Sequence, residues 1–243
     1  MRREARMSIS TEGLEASGKS RFALEATPRP VTYLDFDFGA EGIGSEAMYA
    51  GVTRYAFDLS GLIGMSDDEA RKRAMPVMQE FLARFREAVG KPGTIVVDTF
   101  TAAWAGQRVA RNDERYVLYE QEFRSLVKSV MLTDCTSLVL THHMKPDWKR
   151  DAAGKSYKGS THSRDGMDGV LDLVQLALRQ RYVPPVPAKM VAGRVVEDGQ
   201  PGRFEMDVLK CRDQVGLTGA TMPAMDFRTL CSVVCPGVDW WAV

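Results

Sequence analysis

The chain has 243 residues, enough for one α/β domain of ordinary size. Its 32 basic and 32 acidic residues cancel, so no global field draws it to nucleic acid, and any such contact must come from a local patch. There is no run of about 18 apolar residues and no apolar segment after the basic start Met1-Arg2-Arg3-Glu4-Ala5-Arg6, which excludes a membrane helix and a secretory signal from the reading. Cys135, Cys211, Cys231 and Cys235 are not spaced as a zinc set and are expected as reduced, mostly buried thiols of a cytoplasmic protein.

Ser8-Ile9-Ser10 reads as a short strand. It runs into Gly13-Leu14-Glu15-Ala16-Ser17-Gly18-Lys19-Ser20, the P-loop spacing of two glycines followed by Lys-Ser. A loop wrapped around a triphosphate must expose successive backbone N–H groups, and glycine lets the backbone approach without a Cβ. A helix starting near Gly18 and continuing through Arg21–Ala26 turns its free N–H groups toward the phosphates. Lys19 is expected on the β- and γ-phosphates, with Arg21 on the first helical turn and the Ser20 hydroxyl on Mg²⁺. ATP and Mg²⁺ are therefore the expected cofactors.

Val31–Asp35 reads as a buried strand leading into the acidic, glycine-rich loop Phe36–Gly42. Asp35, Asp37 and Glu41 are candidates to polarise an attacking water, or else to cap a turn. Ala40–Ser66 reads as irregular. Asp67–Val89 carries helical spacing (Met78, Phe81, Leu82, Phe85, Val89) behind an N-cap at Ser66, and Pro76 is expected to kink or divide it. Thr94–Asp98 is a short apolar run ending in a carboxylate, the Walker B form, which places Asp98 beside Mg²⁺. Ala105–Arg115 reads as a polar stretch bearing Arg108 and Arg111. A helix over Arg115–Leu132 follows, with Val117, Leu118, Phe123, Leu126, Val127 and Val130 on its buried face. Ser137–Thr141 is a third buried strand, and since neighbours on a strand point to opposite faces, at most one of His142 and His143 faces the nucleotide.

Lys145–Asp168 reads as a mobile basic loop. Lys145, Lys149, Arg150, Lys155, Lys158 and Arg164 are interleaved with Trp148 and Tyr157, a composition suited to tracking phosphates and stacking on bases of single-stranded nucleic acid. Gly169–Arg179 is apolar and fits either a strand or a short helix. Arg194–Glu197 and Arg203–Leu209 read as an antiparallel hairpin around Asp198–Gly202, ending in Lys210 and Arg212, two cations on one face. Residues 236–243 form a tail whose Trp240 and Trp241 either pack back on the domain or meet a protein partner.

This order of P-loop, strand with an acidic end, Walker B strand, strand with a polar end, basic loop and late cations resembles the RecA family. More narrowly it is similar to small phage-encoded RecA-like ATPases associated with single-strand annealing and recombination. The resemblance covers about Ser8 to Val234 and implies a single domain over residues 1–243: an α/β, RecA-like P-loop NTPase core with a mostly parallel central sheet flanked by helices and a C-terminal antiparallel hairpin. It also implies single-stranded DNA as partner, DNA-stimulated ATP hydrolysis, a filament or ring with ATP at the subunit interface, and the cytoplasm of a bacterial host. Asp37 falls where the family carries a catalytic Glu one methylene longer, with Glu41 as the alternative. Asp98 matches the Walker B Asp, and His143 the γ-phosphate sensor that is typically Gln. Lys145–Asp168 falls at the second DNA-binding loop and Ala105–Arg115 near the first, while Lys210 and Arg212 match cations that reach a neighbouring subunit's nucleotide. Rival readings are a helicase or translocase core, a nucleotide-dependent regulatory or scaffold protein with slow hydrolysis, and a small-molecule kinase, for which no lid or acceptor pocket is evident.

Overall fold

The computed structural model describes residues 6–240 apart from 44, 113, 151–155, 168, 188, 192–193 and 198. In chain order its elements are β1 (Ser8–Glu12), α1 (Lys19–Leu24), β2 (Val31–Asp35), α2 (Glu46–Tyr49), β3 (Val52–Ala56), α3 (Asp67–Ala88), β4 (Gly93–Asp98), α4 (Phe100–Ala110), α5 (Tyr116–Met131) and β5 (Thr136–His142). There follow β6 (Met144–Arg150), β7 (Ser156–Arg164), α6 (Val170–Leu173), β8 (Leu176–Val183), β9 (Lys189–Val191), β10 (Arg194–Glu197), β11 (Arg203–Cys211), β12 (Thr221–Pro223) and α7 (Phe227–Val234).

The main sheet has eight strands in the order β12-β11-β8-β1-β5-β4-β2-β3. From β8 to β3 every neighbouring pair is parallel, while β11 is antiparallel to β8 and to β12. Strand alternation divides the core in two. Leu34, Ile95, Val97, Leu138 and Leu140 face α3, α4 and α5, whereas Tyr33, Val96, Val139 and Ile9 face α1 and α7. Parallel strands covered on both faces must be apolar on both, which is why β4 and β5 are buried along their whole length.

Several elements differ from the sequence expectation. β3 lies within the stretch read as irregular; it is a short edge strand carrying Arg54, and its half-exposed pattern gives little periodic signal. α3 runs through Pro76 undivided, because Pro76 lies on the exposed face while the opposite face buries Ala74, Met78, Phe81 and Phe85. A capping box between Ser66 and Glu69 starts this helix. Ala105–Ala110, read as part of a polar stretch, is the second half of α4; a Cβ at Gly106 would lie 2.5 Å from Leu59 Cδ1 and 2.8 Å from the Met78 sulfur, so the helix packs closely there. On α5 the buried stripe is Tyr119, Phe123, Leu126, Val127 and Val130, so Val117 and Leu118 fall off it and are exposed.

The apolar segment after Gly169 splits into α6 and β8. The stretch read as a mobile loop contains an antiparallel hairpin, β6 with β7, in which Trp148 pairs with Lys158 and Lys149 with Tyr157. The late hairpin is also re-paired: β10 joins β9, and β11 joins β8 and β12. A strand of nine residues gains more ladder and burial beside β8 than against the four residues of β10.

Candidate functional site

The carboxyl ends of β1, β2, β4 and β5 lie along one edge of the sheet, and each delivers a polar group there. Adjacent parallel strands in register bring Glu12 beside His142 and Asp35 beside Asp98. The P-loop leaves β1 at this edge, where open α/β sheets bind ligands.

Gly18 ends the loop in a left-handed conformation (φ 95°) at the start of α1, where no side chain caps the first N–H groups. Gly13 is required for a different reason than closeness to phosphate: a Cβ there would lie 2.6 Å from the Gln180 carbonyl. Lys19 is buried and folds back on its own loop, donating to the carbonyls of Gly13 at 2.9 Å and Leu14 at 2.8 Å, and to Ser17 Oγ at 3.4 Å. Burial lowers the Lys19 pKa, opposed by the negative charges of Asp98, Asp37 and Glu15.

Asp98 is fully buried, and both of its oxygens are engaged. Tyr33 donates its hydroxyl to Oδ2 at 2.5 Å, and Thr141 donates to Oδ1. The Tyr33 hydroxyl also hydrogen-bonds Ser20; burial first, and then the neighbouring Asp98 charge, raise its pKa, so it acts as a donor. Residue 39 closes this cluster. A Cβ at Gly39 would sit 3.0 Å from Ser20 Oγ and 3.7 Å from Asp98 Oδ2, so the glycine keeps open the space in front of a hydroxyl and a carboxylate. Hard oxygens of this kind, completed by phosphate and water, fit Mg²⁺. Among the described residues no cluster of three or more His, Cys, Asp or Glu could hold a metal by itself.

The three acidic candidates after β2 separate clearly. Asp35 is fully buried and is paired by Arg54 Nε at 2.7 Å; burial raises its pKa against that ion pair. Glu41 is exposed and is held by the same guanidinium at 3.1 Å. Asp37, whose backbone N–H donates to Asp35 Oδ1 at 3.2 Å, instead meets His143: Nε2 lies 2.5 Å from Asp37 Oδ2. The hydrogen bond to Asp37 raises the His143 pKa, ahead of the opposing effect of burial. His142 points the other way and is fully buried against Phe100; burial holds its pKa well below the usual histidine value, against a hydrogen bond with the Asp165 backbone. Alternation along the strand thus leaves one of the two histidines on the P-loop side.

The β6–β7 hairpin is rooted at His143. Its N–H donates to Thr101 Oγ1 at 3.0 Å, Thr101 donates to the Asp165 carbonyl at 2.8 Å, and Asp165 N–H returns to the His143 carbonyl at 2.9 Å. Beyond the root, Trp148, Lys149, Tyr157 and Lys158 are exposed, and Lys145 pairs with Asp165 at 2.9 Å. Residues directly opposite in a ladder share a face, so Trp148 with Lys158 and Lys149 with Tyr157 each put an aromatic and a lysine side by side. Arg164 is half-buried near the root. Lys155 lies outside the described residues, as does the side chain of Arg150.

Other expected site residues lie elsewhere. Arg111 pairs with Glu114 and Glu122 between α4 and α5, and Arg108 is exposed near the end of α4, a helix that starts at the P-loop edge of the sheet and runs about 15 Å. β11 runs antiparallel to β8, so Lys210 lies level with Ala177 and hence with Ser10, three residues back from the P-loop, or about 10 Å along the strand. Lys210 and Arg212 donate to the carbonyls of Leu171 and Asp172. Neither meets this chain's own P-loop edge. Trp240 is buried and donates to the Cys235 carbonyl at 3.3 Å, which removes it from any partner surface, and Trp241 lies outside the described residues.

Tyr33, Thr141, Arg54 and Gln180 belong to the site and were not anticipated. Tyr33 was detectable: two residues before Asp35, on a strand, it must share that residue's face. On the other side of the P-loop a cleft of about 590 Å³ is lined by Gly18, Arg21, Phe22, Phe204 and Met225, with an apolar floor that suits a nucleobase. A second cleft of about 590 Å³ lies between the P-loop residues Gly13–Glu15 and the hairpin residues Pro146 and His162, with His143 in its wall.

No protein-family model matches the chain, and no curated protein sequence does. Among solved structures it is similar to the crystal structure of the RadB recombinase, with a TM-score of 0.50 and 13% identity over 88% of this chain and 84% of that chain. At that identity the likeness concerns the fold: the core is RecA-like, an α/β domain built on a large, mostly parallel sheet flanked by helices. Among the described residues no helix is long and apolar enough to cross a membrane.

Proposed function

We propose that the chain is a Mg²⁺-dependent ATPase that binds single-stranded DNA and supports recombination or strand annealing in the cytoplasm. The observation that carries this reading is the contact between Asp37 and His143, because His143 is also the root of the basic, aromatic hairpin. A carboxylate able to accept a water's proton and a surface suited to nucleic acid then share one residue.

Lys19, released from the Gly13 and Leu14 carbonyls, neutralises the β- and γ-phosphates, and the loop amides from Leu14 to Ser20 cradle them. Ser20 and Asp98 would hold Mg²⁺, which neutralises charge developing on the phosphates, and Tyr33 and Thr141 keep the Asp98 carboxylate aimed. Asp37 orients the attacking water; Asp35 and Glu41 are occupied by Arg54 and serve to fix the loop. Trp148 and Tyr157 stack on bases, while Lys145, Lys149, Arg150, Lys155, Lys158 and Arg164 contact phosphates. Lys210 and Arg212 serve a neighbouring subunit's nucleotide in a homo-oligomer. The similarity to a structure titled a recombinase agrees with this assignment without deciding it.

The test is ATP hydrolysis with and without single-stranded DNA, in the wild type and in Lys210→Ala/Arg212→Ala. DNA-stimulated turnover that collapses in the double variant is the expected result. Turnover indifferent to both refutes the DNA and trans-cation roles and leaves a nucleotide-dependent regulatory protein. Charge reversal at Lys149 and Lys158 should weaken DNA binding and flatten its salt dependence by about one unit of log–log slope per lost contact.

A further inference from the structure

We propose that His143 is a positioning residue that holds the Asp37 carboxylate in its working orientation, so that the two side chains function as a single unit. This deepens the ATPase reading above and rests on it.

Burial does not order either side chain: Asp37 remains 34% exposed and His143 35%. An exposed aspartate on a glycine-rich loop turns freely about its side-chain torsions, and a misdirected carboxylate loses much of its value as a base. Their mutual contact supplies what burial does not. Asp37 Oδ2 is engaged by His143 Nε2 at 2.5 Å, which leaves Oδ1 as the free oxygen. The histidine can hold it because its own backbone is clamped on both sides, by Thr101 and by Asp165. The Asp37 backbone is tied to Asp35, which Arg54 anchors. Two fixed backbones thus present two mobile side chains to each other.

The chemistry this permits is simple. The water oxygen bonds to the γ-phosphorus, the bond to the β–γ bridging oxygen breaks and ADP leaves with that oxygen, and the water proton passes to Asp37 Oδ1. His143 touches neither the water nor the phosphorus in this step; it keeps Oδ2 engaged. The other charged or titratable groups around the imidazole are Lys19 and Asp98 toward the P-loop, and Glu15, His162 and Asp165 around the cleft. Among the described residues Asp37 is the one in hydrogen-bond contact with the ring.

The experiment is a double-mutant cycle on ATP turnover with Asp37→Asn, His143→Ala and the pair, plus His143→Gln, which can still donate one hydrogen bond. Binding of a fluorescent ATP analogue and the melting temperature are measured on every variant. Asp37→Asn should lower kcat about 100-fold and His143→Ala about 10-fold, with analogue affinity within about threefold of wild type. The pair should be no slower than Asp37→Asn alone, and His143→Gln should recover most of the loss. A pair slowed about 1,000-fold, the product of the singles, overturns the proposal while leaving the ATPase reading intact. So does a His143→Gln variant as slow as His143→Ala, or a loss confined to analogue affinity. A wild type that binds the analogue but never turns over ATP, with DNA or without, overturns the ATPase reading and this proposal together.

Discussion

Replacing Tyr33 by Phe isolates one oxygen atom at the centre of the site. The hydroxyl donates to Asp98 Oδ2 at 2.5 Å, Tyr33 and Asp98 are both fully buried, and the ring packs in the core between the sheet and α1. A hydrogen bond to a charged group contributes about 1.5–3 kcal/mol, and here removal leaves a buried carboxylate oxygen without its donor. The ring remains, so no cavity larger than one oxygen forms. For a chain of 150–250 residues each kcal/mol moves the melting point about 2–4 °C, so Tyr33→Phe should melt roughly 3–12 °C below wild type. Loss of an orienting partner should also weaken the Mg²⁺ dependence of nucleotide binding about tenfold, with nucleotide binding in EDTA unchanged. Thermal melts followed by circular dichroism and Mg²⁺ titrations of a fluorescent ATP analogue read the two effects separately. A melting point within 1 °C of wild type, together with an unshifted Mg²⁺ midpoint, would refute the assignment of Tyr33 as the residue that holds Asp98; the 1 °C margin is about the precision such a melt needs to exclude the expected loss.

Lys19→Ala should weaken binding of the same analogue by more than about tenfold while secondary structure is retained, since the lysine contacts only its own loop. Phe81→Ala should cost about 3–5 kcal/mol in urea unfolding, because its ring lies within 6.1 Å of Phe36, Phe57, Phe85 and Phe123, between α3 and the sheet. Arg54→Ala should cost about 3 kcal/mol or more by leaving Asp35 buried and unpaired, whereas Arg54→Ala/Asp35→Asn should recover part of that loss. The two histidines give opposite pH dependence. His142 is held below its unfolded value of about 6.5, so its contribution is present above that pH and is lost as pH falls toward the folded value. His143 is held above it, so its contribution is complete below about pH 6.5 and is lost as pH rises through the folded value. His142→Leu should therefore flatten the decline in stability below pH 6.5, and His143→Gln the decline above it, as read from urea midpoints across pH.

Much of the site could be read from the sequence because strand ends are local features. The P-loop spacing, the apolar run ending at Asp98 and the acidic turn after Asp35 each place a group by chain position, and parallel registry then brings those ends to one edge. Alternation put His142 and His143 on opposite faces, and the family resemblance then picked His143. What could not be read were pairings between distant segments. Nothing local says that Arg54 on an edge strand anchors Asp35 and Glu41, or that a polar-looking stretch of basic residues folds as β6 and β7. Arg203–Cys211 reads equally well as one arm of a hairpin with its neighbour or as a partner for β8, and only the competition for ladder contacts decides. The arginines of Ala105–Arg115 suggested a polar stretch, whereas its first half is the end of α4, with Gly106 packed close to Leu59 and Met78.

The direction of β11 bears on how the chain must work if it hydrolyses ATP. Every group that converges on the P-loop leaves the carboxyl end of a parallel strand, whereas β11 is antiparallel and carries Lys210 and Arg212 toward the opposite end of the sheet. One donor of each goes to a carbonyl of α6, Leu171 for Lys210 and Asp172 for Arg212. The arginines that do reach the P-loop end of these strands are matched by carboxylates: Arg179 by Glu12 at 2.6 Å, and Arg181 by Glu205 at 2.8 Å. Among the described residues Lys19 is thus the cation that the P-loop edge itself buries. Phosphoryl transfer concentrates negative charge that one lysine and one divalent ion stabilise incompletely, and a further cation commonly adds three or more orders of magnitude in rate. An isolated chain should accordingly be a slow ATPase, and turnover per chain should rise with protein concentration as a neighbour brings its cations to the site. A rate per chain that stays constant across the range where light scattering shows assembly would place the missing charge within the chain and remove the case for Lys210 and Arg212 acting in trans.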